Sequence, residues 1–197
     1  VYAGTISRVV PAVRQGFTRV ATSTLAAADD ERLAYFTASV LPELEAGMSE
    51  TAGRLLAHTL LFVPSYYDYV RLRNLLDARE MEFVTACEYT EDGDVIRARS
   101  RFFSGDAPLM LATERFHFFR RLRIRGARHV IFYGPPSCAW FYDEVLNWLE
   151  EAAARREPVS ATLLFTRYDA LALERIVGTE RVGALLDPAA KPTVVFM

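Results

Sequence analysis

Lysine is almost missing from this sequence: Lys191 is the only one in 197 residues, and it is followed by Pro192 with no glycine loop before it. A phosphate-binding P-loop needs Gly-rich backbone amides and a lysine on the terminal phosphates, so the chain has no such loop. The GxGxxG and GxSxG patterns are also missing, which removes the signals of a dinucleotide site and of a serine hydrolase elbow. Cysteine is sparse. Cys87 and Cys138 stand 51 residues apart and form no CxxC pair. With three scattered histidines (His58, His117 and His129) they supply no zinc-ligand spacing. No apolar run approaches the ~18 residues of a membrane span, no signal-peptide pattern opens the chain, and no NxS/T sequon occurs. The expectation is an intracellular chain without metal, disulfide, nucleotide cofactor or membrane contact. The missing initiator Met suggests a piece of a longer protein.

What is present is an ordinary globular composition, 51% hydrophobic and 24% charged, long enough to bury a core without a staple. The net charge of −2 conceals a strong segregation. Positions 97 to 129 hold nine arginines (97, 99, 101, 115, 120, 121, 123, 125 and 128) against Asp106 and Glu114, a window of +7. Such clustering is the electrostatic footprint of a phosphate or nucleic-acid contact. The competing readings are an acidic partner and the chain's own acidic segments, such as Glu88 to Asp94.

Residues 1 to 28 show no clear period and read as a connector with a short strand near Phe17 to Val20. Asp29 or Asp30 is placed to cap a helix carrying Leu33, Phe36, Val40 and Leu44, with Pro42 kinking it. From His58 onward short apolar runs alternate with helical patterns. Strands are expected at 58–63, 82–86, 109–113, 129–133 and 159–165, with a last short one at 193–196. Helices are expected at 66–79, opened by Ser65, at 94–103, closed by Gly105, at 137–155, and from the Thr166 capping box to Val177. Continuous apolar strands alternating with helices predict an α/β domain over 29–197, with a mostly parallel sheet of five or six strands and helices on both faces. Ligands of such sheets sit beyond the carboxyl ends of the strands. Here those ends are Ser65, Cys87-Glu88, Thr113-Glu114, Gly134-Pro135 and Thr166-Arg167. If Arg121 to Arg125 is extended, Leu122 and Ile124 point inward and three arginines outward at about 7 Å intervals, close to the phosphate spacing of a nucleic-acid strand. The three histidines and two cysteines read as structural, and Glu114 as a solvated or arginine-paired carboxylate.

The blocks His58–Asn74 (HTLLFVPSYYDYVRLRN), Thr113–Arg121 (TERFHFFRR), Gly126–Gly134 (GARHVIFYG) and Tyr168–Gly178 (YDALALERIVG) resemble the digestive organ expansion factor family, also called U-three small nucleolar RNA-associated protein 25. The resemblance implies a nucleolar protein of the small-subunit processome, which matures the 18S ribosomal RNA precursor. It also implies a RecA-like architecture similar to the second domain of a DEAD-box helicase whose catalytic motifs have decayed. The turn after His58–Val63 looks like motif IV, and Leu109–Glu114 looks like motif V with Glu114 in place of an aspartate. The stretch Tyr142–Glu150 stands where motif VI would supply arginines to the ATP γ-phosphate, and it contains none. Arginine fingers are worth ~10³–10⁵ in phosphoryl-transfer rate.

The expectation is therefore a non-enzymatic, helicase-like scaffold in the nucleus and nucleolus, with pre-ribosomal RNA and other processome proteins as partners and no small-molecule substrate. The alternative is the C-terminal half of an active ATP-dependent RNA helicase; a small α/β enzyme unrelated to RNA has no catalytic constellation behind it. The RNA-contact candidates are Ser65, Thr113, Arg115, Arg120, Arg121, Arg123 and Arg125. Trp148 is the candidate for docking a protein partner, while Phe141, Val145 and Leu149 are assigned to the core.

Overall fold

The computed structural model describes residues 2–197. Seven strands form one sheet: β1 (Arg14–Arg19), β2 (Thr59–Val63), β3 (Phe83–Ala86), β4 (Leu109–Thr113), β5 (His129–Phe132), β6 (Ser160–Phe165) and β7 (Thr193–Phe196). Their order is β3-β4-β2-β5-β6-β1-β7, parallel throughout except for β7, which runs antiparallel to β1. The sheet thus has one more strand than the upper expectation. The short strand expected near Phe17 to Val20 is β1, longer than expected and inside the sheet rather than in a connector, with Phe17 opposite Leu163 of β6 and Val194 of β7 and fully buried.

The central strands are continuous apolar runs because both of their faces are covered. Leu60, Phe62, Met110, Val130, Phe132 and Leu163 point to one face, beneath α4 (Asp92–Ser104), α6 (Trp140–Asn147) and α8 (Ala170–Val177). Leu61, Val63, Leu111, Ile131, Tyr133 and Leu164 point to the other, beneath α1 (Ala28–Tyr35), α2 (Leu41–Met48) and α3 (Tyr66–Ala78). Complete burial of each such side chain contributes ~1.5–3 kcal/mol before conformational entropy is subtracted.

Several local expectations change. Asp29 and Asp30 do not cap α1; they lie in its first turn, where their charge complements the helix dipole. Pro42, expected to kink its helix, lies in the first turn of α2. A π turn at Phe36–Val40 precedes it, with the Leu41 amide bonding Phe36 O, and this wider turn takes up the ring that an α turn would exclude. The helix expected at 137–155 splits into α6 and α7 (Glu150–Ala154), because the Trp148 and Leu149 amides bond three residues back and tighten the joint. α9 (Thr179–Leu186), not anticipated, follows Gly178, whose φ of 89° is left-handed. A Cβ there would lie 2.5 Å from Tyr2 O, so the glycine is what lets residues 2–4 pack against α8 and α9.

Candidate nucleic-acid interface

The carboxyl ends of the parallel strands form one edge, and α5 (Glu114–Arg120) starts from it directly after β4. Two of the sequence candidates on this edge are committed to the fold. Thr113 is 1% exposed; its hydroxyl donates to Glu88 Oε2 at 2.8 Å and accepts the Phe116 amide at 3.1 Å. It caps α5 and offers a ligand nothing. Ser65 accepts the Asp68 amide at 3.4 Å and opens α3 in the same way. Glu114 is neither solvated nor paired with an arginine. It is buried and accepts the Ser137 amide at 2.9 Å, which ties β4 to the loop after β5. Burial pushes its carboxyl above the usual range, against the bonds from Ser137.

The arginines are where the sequence and the folded chain differ most. Seven of the nine face carboxylates outside their own window: Arg97–Asp94, Arg101–Glu82, Arg115–Glu88, Arg120–Asp92, Arg121–Glu144, Arg123–Glu151 and Arg128–Glu157. Of the other two, Arg99 donates to Arg123 O and Arg125 lies 5.3 Å from the Phe103 ring. The sequence-local charge of +7 is thus largely matched across the fold by the chain's own acids, the less eventful of the two readings. Apart from Arg115–Glu88, whose carboxylate is buried, these pairs are at least partly exposed, and each of them is worth only ~0–1 kcal/mol.

The arginine stripe also does not gather at one place. Arg115, Arg120 and Arg121 lie beside the carboxyl edge, against the β3–α4 loop and α6. The segment after α5 then runs back toward the start of β5. Leu122 and Ile124 pack inward as expected, with Ile124 2% exposed. Arg123 reaches Trp148 O and Arg125 reaches the end of α4, so both lie on the way to the opposite edge. The edge group is therefore Arg115, Arg120 and Arg121.

Exposed aromatic rings surround that group. Phe118 (53% exposed) and Phe119 (60%) flank it, with the Arg115 guanidinium 5.6 Å from the Phe119 ring; Trp140 (52%) lies one ring further, 5.9 Å from Phe141, whose ring the Arg121 guanidinium approaches at 5.6 Å. Sequence reasoning overlooked all three, although helix phase gives the outward pair: α5 buries Phe116 and His117, which turns Phe118 and Phe119 to solvent. Trp148 is corrected. It is 9% exposed and its ring meets His117 edge-on at 5.1 Å, so it belongs to the core with Phe141, Val145 and Leu149.

Burial holds His58, His117 and His129 below their ordinary value. His129 is satisfied by Ser160 Oγ at 2.8 Å and Leu55 O at 3.0 Å, and His117 Nε2 donates to Glu144 at 3.1 Å. Among the described residues no group of three or more His, Cys, Asp or Glu side chains is placed to hold a metal ion, and no helix is long and apolar enough to cross a membrane. The chemistry this edge offers is ionic exchange and aromatic contact.

The architecture has solved counterparts. The E. coli DEAD-box protein SrmB, crystallised with regulator of ribonuclease activity A, superimposes with a TM-score of 0.61 at 15% identity, over 83% of each chain. Domain 2 of the Mss116p DEAD-box helicase, solved on an RNA duplex, gives 0.56 at 14% identity over 75% of this chain and 58% of that one. The fold is thus a RecA-like α/β domain of the type found as the C-terminal domain of DEAD-box proteins. More specifically, the chain belongs to the Utp25 family: the model of the Utp25 C-terminal domain matches residues 5–196. It is 39% identical to the U3 small nucleolar RNA-associated protein 25 homolog of Rattus norvegicus over 93% of this chain and 23% of the relative. The Sclerotinia sclerotiorum protein of that name is 40% identical over 94% and 26%, and the Arabidopsis thaliana Protein NUCLEOLAR FACTOR 1 is 36% identical over 90% and 22%. The chain spans about a quarter of the length of these curated relatives.

Proposed function

We propose that this domain is a non-catalytic, helicase-like scaffold of nucleolar small-subunit ribosome biogenesis, and that it holds pre-ribosomal RNA beside Arg115, Arg120 and Arg121 while other faces dock processome proteins. The names of its relatives, which tie them to the U3 small nucleolar RNA and to the nucleolus, support the setting. The observation that carries the non-catalytic reading is the helix after β5. Where the helicase resemblance calls for arginines at a γ-phosphate, Tyr142 to Glu150 has none. Its Tyr142, Val145 and Leu146 are buried in the core, and its charged groups, Asp143, Glu144 and Glu150, are acidic. An acidic helix repels a nucleotide triphosphate and stabilises no charge developing on it.

The test uses the full-length protein. Purified, it should turn over no ATP with or without RNA, and retrieved from cells it should bring the 18S precursor with it. RNA-stimulated ATP hydrolysis would refute the scaffold reading, and precursor-free isolates would refute the assembly role.

A further inference from the structure

A second surface, adjoining the edge arginines, combines aromatic rings with cations. Between α3 and α4, alongside β3, lies an open cleft of about 590 Å³ whose walls include Tyr66, Tyr69, Tyr89, Arg73, Arg97 and Arg101. Tyr89 is 70% exposed on the loop after β3. Its ring meets Tyr66 edge-to-face at 5.2 Å, and Tyr66 in turn stacks on the buried Tyr69 at 5.6 Å. The exposed ring is therefore braced through a second tyrosine to the core rather than swinging free. The Arg73 guanidinium stands 5.9 Å from the Tyr69 ring, and among the described residues it has no carboxylate partner. Among the described residues Arg97 is paired only with Asp94, three residues earlier on an exposed helix face, and Arg101 with Glu82 at 3.6 Å.

We infer that this cleft is a stacking site for unpaired bases of single-stranded RNA, with Tyr89 as the platform and Arg73, Arg97 and Arg101 on the flanking phosphates. The inference rests on the RNA reading of the preceding section and adds a distinct mode to it. The edge arginines meet the backbone of any polyanion, whereas a tyrosine platform requires bases. Aromatic rings beside arginines are the composition that single-strand sites use, and they tolerate any sequence because every base has a π face. The two surfaces are continuous: Thr90, which lines the cleft, accepts Arg120 Nη2 through its carbonyl at 3.2 Å. A strand lying on Arg120 needs no break to reach Tyr89.

The experiment compares two probes on the full chain, a 12-nucleotide oligouridylate and an abasic ribose-phosphate 12-mer. Tyr66→Ala with Tyr89→Ala should weaken oligouridylate binding by on the order of ten- to a hundredfold and leave abasic binding and the salt slope unchanged. The Tyr66→Phe/Tyr89→Phe variant should bind both probes as the wild type does. If the alanine pair disturbs folding, the single Tyr89→Ser change at a solvent-facing ring decides the matter, with a smaller loss expected. Photocrosslinking with 5-iodouridine should mark Tyr89. If the wild type binds both probes equally and Tyr89→Ser changes neither, base stacking here is refuted while the edge reading stands. If the wild type binds neither probe, both readings fall together.

Discussion

Neutralising the edge arginines without reversing them, as Arg115→Gln, Arg120→Gln and Arg121→Gln together, separates a binding surface from an internal ion-pair array. Glutamate is the wrong replacement, because Glu88, Asp92 and Glu144 already stand opposite these positions and like charges would meet at contact distance. The arginine side chains are 35–61% exposed, so losing the Arg120 or the Arg121 pair costs at most ~1 kcal/mol, whereas losing Arg115 takes the cation from Glu88, a buried carboxylate 6% exposed, and costs more. Part of that is recovered, since Glu88 keeps the Thr113 hydroxyl and Glu144 keeps His117. Stability should fall by ~2–4 kcal/mol, roughly 5–15 °C in Tm for a domain of this size, most of it from Glu88. For RNA the effect is larger. Each phosphate contact contributes ~0.7 to the slope of log K against log salt for a single strand, so three contribute about 2. Between ~50 and ~200 mM salt the wild type should therefore lose roughly twentyfold more affinity than the variant. Fluorescence anisotropy of a labelled RNA at four salt concentrations, with a thermal melt as control, reads both quantities. A variant that stays folded and binds with the same affinity and slope would show that these arginines are not an RNA-binding surface.

Gly178→Ala should lower Tm by about 5–10 °C, because it puts a left-handed backbone (~1–3 kcal/mol) and a Cβ within 2.5 Å of Tyr2 O into one place; a melt within a degree of the wild type would contradict the packing of residues 2–4. Trp148→Ala should cost ~3–5 kcal/mol, whereas Trp140→Ala should cost under ~1; urea unfolding of the two separates core from surface, and equal costs would undo the assignment. Stability should decline as pH falls from about 7.5 to about 5.5. Burial depresses His58, His117 and His129 in the folded chain, so their contribution is complete above the unfolded value of about 6.5 and is lost as the unfolded chain takes up protons that the folded one refuses. The raised carboxyls Asp68, Glu114 and Asp143 work the other way, favouring the folded state only in more acid solution. A urea midpoint that rises over that interval would overturn the histidine assignment.

Much of the fold was legible because the central strands announce themselves: a run buried on both faces must be apolar along nearly all of its length, and β2, β4 and β5 are, apart from Thr59, Thr113 and His129 at their ends. β1 was harder to read. Its sequence, Arg-Gln-Gly-Phe-Thr-Arg, has little strand character of its own, and it is a strand because two neighbours pair with it. The Trp148 error was avoidable. Positions 141, 145 and 148 follow the i, i+4, i+7 spacing of one helix face, which already grouped Trp148 with the core rather than apart from it. The arginine partners were not legible at all. Six of the seven pairs join different elements, at sequence separations from 19 for Arg101–Glu82 to 29 for Arg128–Glu157, and only the fold brings them together.

That pairing bears on how such a surface can work. An arginine held by a carboxylate is not lost to RNA; it is loaned, and the relevant free energy is that of exchange. Replacing one exposed carboxylate by a phosphate conserves charge pairing and leaves the displaced acid in water, where Asp92, already 79% exposed, sits at little cost. Glu88 is different. Its side chain is 6% exposed, so it cannot follow Arg115 into solvent and must rely on the Thr113 hydroxyl. Arg120 and Arg121 should therefore release first and carry most of the salt dependence, with Arg115 held back by the acid it shields. Single-site Gln variants rank the three directly, and a dominant loss at Arg115 would mean that burial of Glu88 does not set the order of exchange.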